Sequence, residues 1–328
     1  MNTKIVYVVV SDNDSLYAEQ AVVSAYSARV YNVDAIIEAV VDTITADNLK
    51  DKKLYFYNYF DNVIVIDTPA NYTQKQRSRY LKTKLREFVN GDYLYIDTDT
   101  IICDSLDEID KFQNDICAVR EYNRISHFST TDRWMTTLAE KACLVSELCD
   151  EPYFNSGVMY VKETPCAQLF YKQWHNSWLK TKEYGVDTDQ TALCWANKLE
   201  GHVINHIGDV WNCQIQVRDS KKSFSKAKII HYFWELGESN YPLSHHSVFQ
   251  SVIELEDIPS IVKDFIDTPK LQLVSSDDFF FIVKTNEMRS RFGKFCAFIE
   301  WICNVYFYMR ENCLHRHIFK KILKYGKD

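Results

Sequence analysis

Apolar residues first gather at positions 4–10, a short valine-rich run that suits a strand buried on both faces. The run ends in Ser11-Asp12-Asn13-Asp14, a polar turn. Residues 18–31 then carry Ala21, Ser24, Ala25 and Ala28 at spacings that share one helical face. Residues 35–41 predict a second strand, 50–60 a helix, and 62–66 a third strand that stops short of Pro69. Residues 78–89 predict a basic amphipathic helix and 93–96 a fourth strand. Strands alternating with helices in this way predict an α/β fold, a mostly parallel central sheet covered on both faces. Further on, 116–120, 156–162, 202–207 and 228–232 read as strands, and 166–182 and 189–198 as helices. Residues 246–285 show only weak period, and no internal repeat or low-complexity linker interrupts the chain.

Composition narrows the function classes. The chain has 328 residues, enough for one large α/β domain or two smaller ones. Hydrophobic residues at 46% support a sizeable core, and 25% charged residues with six prolines argue against a disordered chain. Only eight glycines are present, with neither G-x-x-x-x-G-K nor G-x-G-x-x-G, so phosphate binding through a Gly-rich loop is not expected. The ten cysteines are scattered and form no C-x-x-C pair, which argues against a zinc site and fits a reducing cytosol. The six apolar residues 5–10 are too short for a signal-peptide core and read better as a strand, so a cytoplasmic location is expected. The net charge of −7 is uneven: residues 289–328 hold nine basic residues against three acidic ones, a net +6, which leaves −13 on the rest. An acidic body whose basic residues do not cluster with aromatics is a poor nucleic-acid binder.

The strongest chemical signal is Tyr93-Leu94-Tyr95-Ile96-Asp97-Thr98-Asp99-Thr100-Ile101-Ile102. Two acids interrupt an apolar run. In an extended chain residues two apart point to the same side, so both carboxylates converge at a strand end. Like charges held together beside a core repel and are costly to desolvate, and a divalent cation removes both problems. Hard carboxylate oxygens suit Mg²⁺ or Mn²⁺. A polar turn with both acids in water is the bland alternative.

Six blocks in order resemble the family 8 glycosyltransferases, which have the GT-A fold. They are Ile5-Val6-Tyr7-Val8-Val9-Val10-Ser11-Asp12 with Tyr17-Ala18; Arg77-Ser78-Arg79-Tyr80-Leu81-Lys82-Thr83-Lys84-Leu85; Tyr95-Ile96-Asp97-Thr98-Asp99; Phe154-Asn155-Ser156-Gly157-Val158-Met159; Asp189-Gln190-Thr191-Ala192-Leu193; and Ile229-Ile230-His231-Tyr232. Together they span roughly residues 4–240. The resemblance implies that Asp97, Asp99 and His231 ligate a metal, Mn²⁺ or Mg²⁺. It implies that Val10, Ser11, Asp12 and Thr98 border the nucleotide, with Tyr17 as a stacking surface. Arg79 would sit near the donor phosphate or sugar. Asn155, Gly157, Asp189 and Gln190 would shape the donor-sugar and reaction pocket, with Asp189 and Gln190 flanking the reacting carbon. The implied reaction moves a hexose from a UDP-sugar to a glycan or lipid-linked acceptor with retention. Attack on the same face follows, with the leaving phosphate helping to deprotonate the acceptor. One departure stands out: the family follows its His-Tyr with Gly and then Lys-Pro-Trp, and residues 233–242 here contain no lysine.

The expected organisation is a single Rossmann-like GT-A catalytic domain at 1–245, an accessory segment at 246–287 and a basic amphipathic helical tail at 288–328. Within the tail, residues 295–309 hold only Glu300 and Asn304 as strongly polar positions, four apart, and Leu314, Ile318 and Ile322 repeat every four residues. Fifteen residues are too few to span a bilayer. Two readings of the tail stay open: an anionic membrane surface as its partner, which would place the protein peripherally at the inner face of the cytoplasmic membrane, or packing on the catalytic domain. Two other functions also stay open: a catalytically inactive sugar-nucleotide-binding or scaffold protein, and a haloacid-dehalogenase-like phosphohydrolase. The second lacks its downstream acid, because Cys213 stands where that acid would follow Gly208-Asp209.

Overall fold

The computed structural model describes residues 1–12, 15–123, 133–215, 220–233, 243 and 245–269. The elements are β1 (Lys4–Val9), α1 (Tyr17–Tyr31), β2 (Ile37–Asp42), α2 (Thr43–Lys52), β3 (Asn62–Ile66), α3 (Gln74–Thr83), α4 (Leu85–Phe88), β4 (Tyr93–Ile96), β5 (Thr100–Ile102) and β6 (Ile116–Arg120). There follow α5 (Arg133–Lys141), α6 (Val145–Leu148), β7 (Phe154–Val161), α7 (Pro165–Glu183), α8 (Asp189–Leu199), β8 (Ile204–His206), β9 (Cys213–Gln214), α9 (Lys221–Phe224), β10 (Ile229–His231), α10 (His246–Leu255) and α11 (Ser260–Asp267).

A seven-stranded sheet runs in the order β3-β2-β1-β4-β7-β6-β8. Every pairing is parallel except those of β7, which runs against both β4 and β6. The largely parallel α/β sheet expected from the alternating pattern is therefore present. Period-2 alternation along β1 splits the core: Ile5, Tyr7 and Val9 pack with α1 on one face, and Val6, Val8 and Val10 pack with α3, α7 and α8 on the other. A small second sheet, β5-β10-β9, closes over the first face.

Three local expectations need correction. The helix predicted at 50–60 is instead α2, starting at Thr43, followed by a 3-10 turn over Leu54–Tyr59. Asp42 starts α2 early, because its side chain caps the Thr45 N–H. The basic helix begins at Gln74 rather than 78, because Thr73 and Gln76 form a capping box, and it breaks at Lys84. Residues within 246–269 are helical: α10 and α11 bury Phe249, Val252, Val262, Phe265 and Ile266 in the core shared with α1. Among the described residues, no helix is long and apolar enough to cross a membrane. The tail at 288–328, and the stretch after Phe233 where the family's lysine would stand, lie outside the described residues.

Candidate active site

The chain runs outward from β1 to β2 and β3, then returns on the other side of β1 as β4. The crevice at the C-terminal ends of β1 and β4 is therefore a topological switch point, where open α/β sheets take their ligands. Val10, Ser11 and Asp12 leave β1 there, and Asp97, Thr98 and Asp99 leave β4.

The acidic pair is held from both sides. The apolar run resumes after Asp99 as β5, which pairs antiparallel with β10 and sets Thr100 opposite His231. That register brings His231 beside Asp99, with Nε2 3.2 Å from Oδ1. Asp97 is pinned through its backbone N–H, which donates to the Gly157 carbonyl of β7 at 2.7 Å. Its Oδ1 accepts the Tyr95 hydroxyl and an N–H of Lys82, the latter at 3.1 Å. Burial, reinforced by the Asp97 carboxylate, pushes the Tyr95 phenol well above its usual range, so it remains a donor. One ligand atom each from Asp97, Asp99 and His231 lies within 4.8 Å of the others. Burial alone would push His231 down, but Asp99, with Asp97 and Glu121 behind it, raises it above its ordinary value.

Gly157 makes room for this cluster. A Cβ there would stand 2.5 Å from His231 Cε1, 2.7 Å from Asp97 Oδ2 and 2.9 Å from Asn155 Oδ1. β7 reaches this point because its register against β6 shifts between Ala118 and Val119 while its pairing with β4 continues through Val158. Two carboxylate oxygens and an imidazole nitrogen, converging where only glycine fits, suit a divalent cation.

Asp189, the first residue of α8, forms the second acidic centre. It is buried and paired with Arg79 Nε at 2.9 Å and Lys82 Nζ at 3.2 Å, and it accepts the Ser156 hydroxyl at 2.8 Å. Burial would raise its pKa, but Lys82, Arg79 and the Ser156 bond outweigh that and hold it well below the usual carboxylate range. Arg79 therefore lies in the site, on Asp189. The buried ammonium of Lys82 joins Asp97 to Asp189 and touches Ser156 Oγ at 3.2 Å. Gln190 and Asn155 meet on Glu121, whose Oε2 accepts their side-chain amides at 2.7 and 2.8 Å.

At the β1 end, Asp12 pairs with Arg77, which also reaches Asp42 at 2.6 Å through Nε. The Ser11 N–H donates to Thr45 Oγ1 at 2.9 Å, and the Val10 carbonyl accepts Gln74 Nε2 at 3.1 Å. Thr98 donates to Gln20 Oε1 at 3.2 Å, on the helix that Tyr17 opens.

Sequence reasoning missed Lys82, Arg77 and Glu121, and also Asn212, whose side-chain oxygen lies 3.1 Å from His231 Nδ1. Lys82 was findable, standing three residues after Arg79 and so on the same helical face. Arg77 lies on the same helix, and Glu121 and Asn212 are single polar residues beside strand ends, with partners far away in the chain.

No protein-family model matches the sequence, and no curated protein matches it. Solved structures do. The galactosyltransferase LgtC, in complex with donor and acceptor sugar analogues, is similar at 18% identity, a TM-score of 0.50, 80% of this chain and 99% of that one. Mouse xyloside xylosyltransferase 1 in its apo form is similar at 13% identity, a TM-score of 0.47, 71% of this chain and 98% of that one. The glycosyltransferase GlyE of Streptococcus pneumoniae TIGR4 is similar at 17% identity, a TM-score of 0.47, 81% of this chain and 64% of that one. The likeness to LgtC shows the fold: this chain has the GT-A architecture that the sequence blocks implied.

Proposed function

We propose that the protein is a metal-dependent glycosyltransferase that moves a hexose from a UDP-sugar to a glycan or lipid-linked acceptor with retention. The observation that carries this reading is the convergence of Asp97, Asp99 and His231 at the switch point of a GT-A sheet. These three residues would hold Mn²⁺ or Mg²⁺. A bound ion would supply Lewis acidity for the charge that develops on the departing nucleoside diphosphate.

Val10, Ser11, Asp12, Thr98 and Tyr17 border the nucleotide in this reading. Asp189 and Gln190 flank the reacting carbon, with Asn155 and Gly157 shaping the pocket around it. Lys82 and Arg79 keep Asp189 ionised and oriented, and they place positive charge in a site whose family lysine is missing. Asp189 is engaged by two cations and a hydroxyl, and Glu121 by two amides, so neither is poised for covalent attack. Same-face attack follows, with the leaving phosphate taking the acceptor proton.

The test is a panel of UDP-sugars with Mn²⁺, followed by UDP release and by NMR of the product. An α-linked product from an α-linked donor is expected, and a β-linked product would overturn retention. UDP binding without turnover across the panel would favour the inactive sugar-nucleotide-binding reading, for which the missing lysine speaks.

A further inference from the structure

We infer that Glu121 and Asn212 are positioning residues that fix the imidazole of His231 with its hydrogen on Nδ1 and Nε2 turned toward Asp97 and Asp99. The inference rests on the reading of those three residues as a metal site.

The geometry is a chain of buried hydrogen bonds whose direction has no freedom. Glu121 is a carboxylate and can only accept. Asn155 therefore turns its Nδ2 to Glu121 Oε2, at 2.8 Å. Its Oδ1 then faces the opposite way and receives the Gly157 N–H at 2.9 Å. A backbone N–H can only donate, so it demands the same orientation independently. The same Oδ1 receives Asn212 Nδ2 at 2.8 Å. Asn212 is thereby left with its carbonyl toward His231 Nδ1, 3.1 Å away. An amide carbonyl only accepts, so Nδ1 carries the hydrogen. Nε2 is left on the side of Asp99 Oδ1.

Reversing Asn155 would set donor against donor, and reversing Asn212 would set acceptor against acceptor, in a buried place. Glu121, Asn155, Asn212 and His231 are all buried. An unmatched polar group there costs far more than in water. Glu121 also holds Gln190 at 2.7 Å, so one carboxylate orients both a metal ligand and a residue of the reaction pocket. The partner on the far ring nitrogen of a ligating histidine fixes its tautomer, and losing such a partner typically weakens metal binding by about 10–100-fold.

The test begins on the unaltered protein. Histidine side chains are labelled with ¹⁵N, the His231 signals are assigned by their absence in His231→Gln, and the metal-free sample is held at a pH where the ring is neutral. The expected spectrum has the hydrogen on Nδ1, and hydrogen on Nε2 would overturn the inference whatever any variant does. Mn²⁺ affinity, read by electron paramagnetic resonance without nucleotide, is then compared across variants. Asn212→Leu is expected to bind Mn²⁺ about 10–100-fold more weakly and to show the Nε2–H form. Glu121→Gln keeps an accepting oxygen in place and is expected to retain the Nδ1–H form. Asn212→Leu binding Mn²⁺ as tightly as the unaltered protein would overturn the positioning role. No Mn²⁺ binding by the unaltered protein, alongside hydrogen on Nδ1, would instead sink the metal-site reading and leave the tautomer assignment standing.

Discussion

Gly157 and Lys82 show how the site depends on single side chains. A methyl group at 157 meets an imidazole carbon, a carboxylate oxygen and an amide oxygen, all inside contact distance. Overpacking of this kind costs about 1–3 kcal/mol. Gly157→Ala is therefore expected to fold with lowered stability and to lose most Mn²⁺ affinity, which thermal melting and a metal titration would check. Lys82→Met leaves Asp97 and Asp189 without their shared cation, a loss of about 3–5 kcal/mol when one partner of a buried pair is removed. Mn²⁺ is expected to restore stability more in that variant than in the unaltered protein, measured by urea unfolding with and without the ion. The convergence of Asp97 and Asp99 was legible in the sequence because residues two apart in an extended chain point to the same side. Glu121 was not, because its partners Asn155 and Gln190 lie 34 and 69 residues away and only folding brings them together.

Helix α3 carries Arg77, Arg79 and Lys82 within six residues, so its placement sets how these three cations meet Asp12, Asp97 and Asp189. Thr73→Ala removes its cap, and a loss of about 0.5–2 kcal/mol is expected in urea unfolding. The same helix contacts α7 through His175, whose Nδ1 meets the Thr83 hydroxyl at 2.8 Å. Burial, with the Lys84 charge nearby, pushes His175 down from 6.5 to about 4. Between those values the unfolded chain binds a proton at this position that the folded chain does not. The contribution is complete above pH 6.5 and is lost as pH falls toward about 4. His175→Gln is expected to flatten the fall in unfolding free energy across that window, and an unchanged slope would contradict the assignment. At this scale the sequence was most legible in its strands: 62–66, 93–96 and 116–120 match β3, β4 and β6 end to end. Helix starts were less so, because Asp42 and Thr73 act through side-chain caps rather than through hydrophobic period.

At the scale of the described molecule, distant parts of the chain meet in the core on the α1 face of the sheet. α11 returns to α1, where the Tyr31 hydroxyl donates to the Ile266 carbonyl at 2.8 Å. The weak period of 246–285 hid this, since two short helices bury only a few apolar residues each. A basic tail on an acidic body remains a proposal for membrane contact. Deleting residues 289–328 is expected to abolish binding to anionic vesicles while sparing nucleotide binding, and unchanged vesicle binding would remove that proposal. The most direct test of the central claim is calorimetric titration of the purified protein with UDP, in Mn²⁺ and in EDTA, beside an Asp97→Asn/Asp99→Asn variant. Binding that requires Mn²⁺ and disappears in the variant is expected, whereas binding that is indifferent to both, or absent with every metal, would contradict a metal-dependent nucleotide site at these residues.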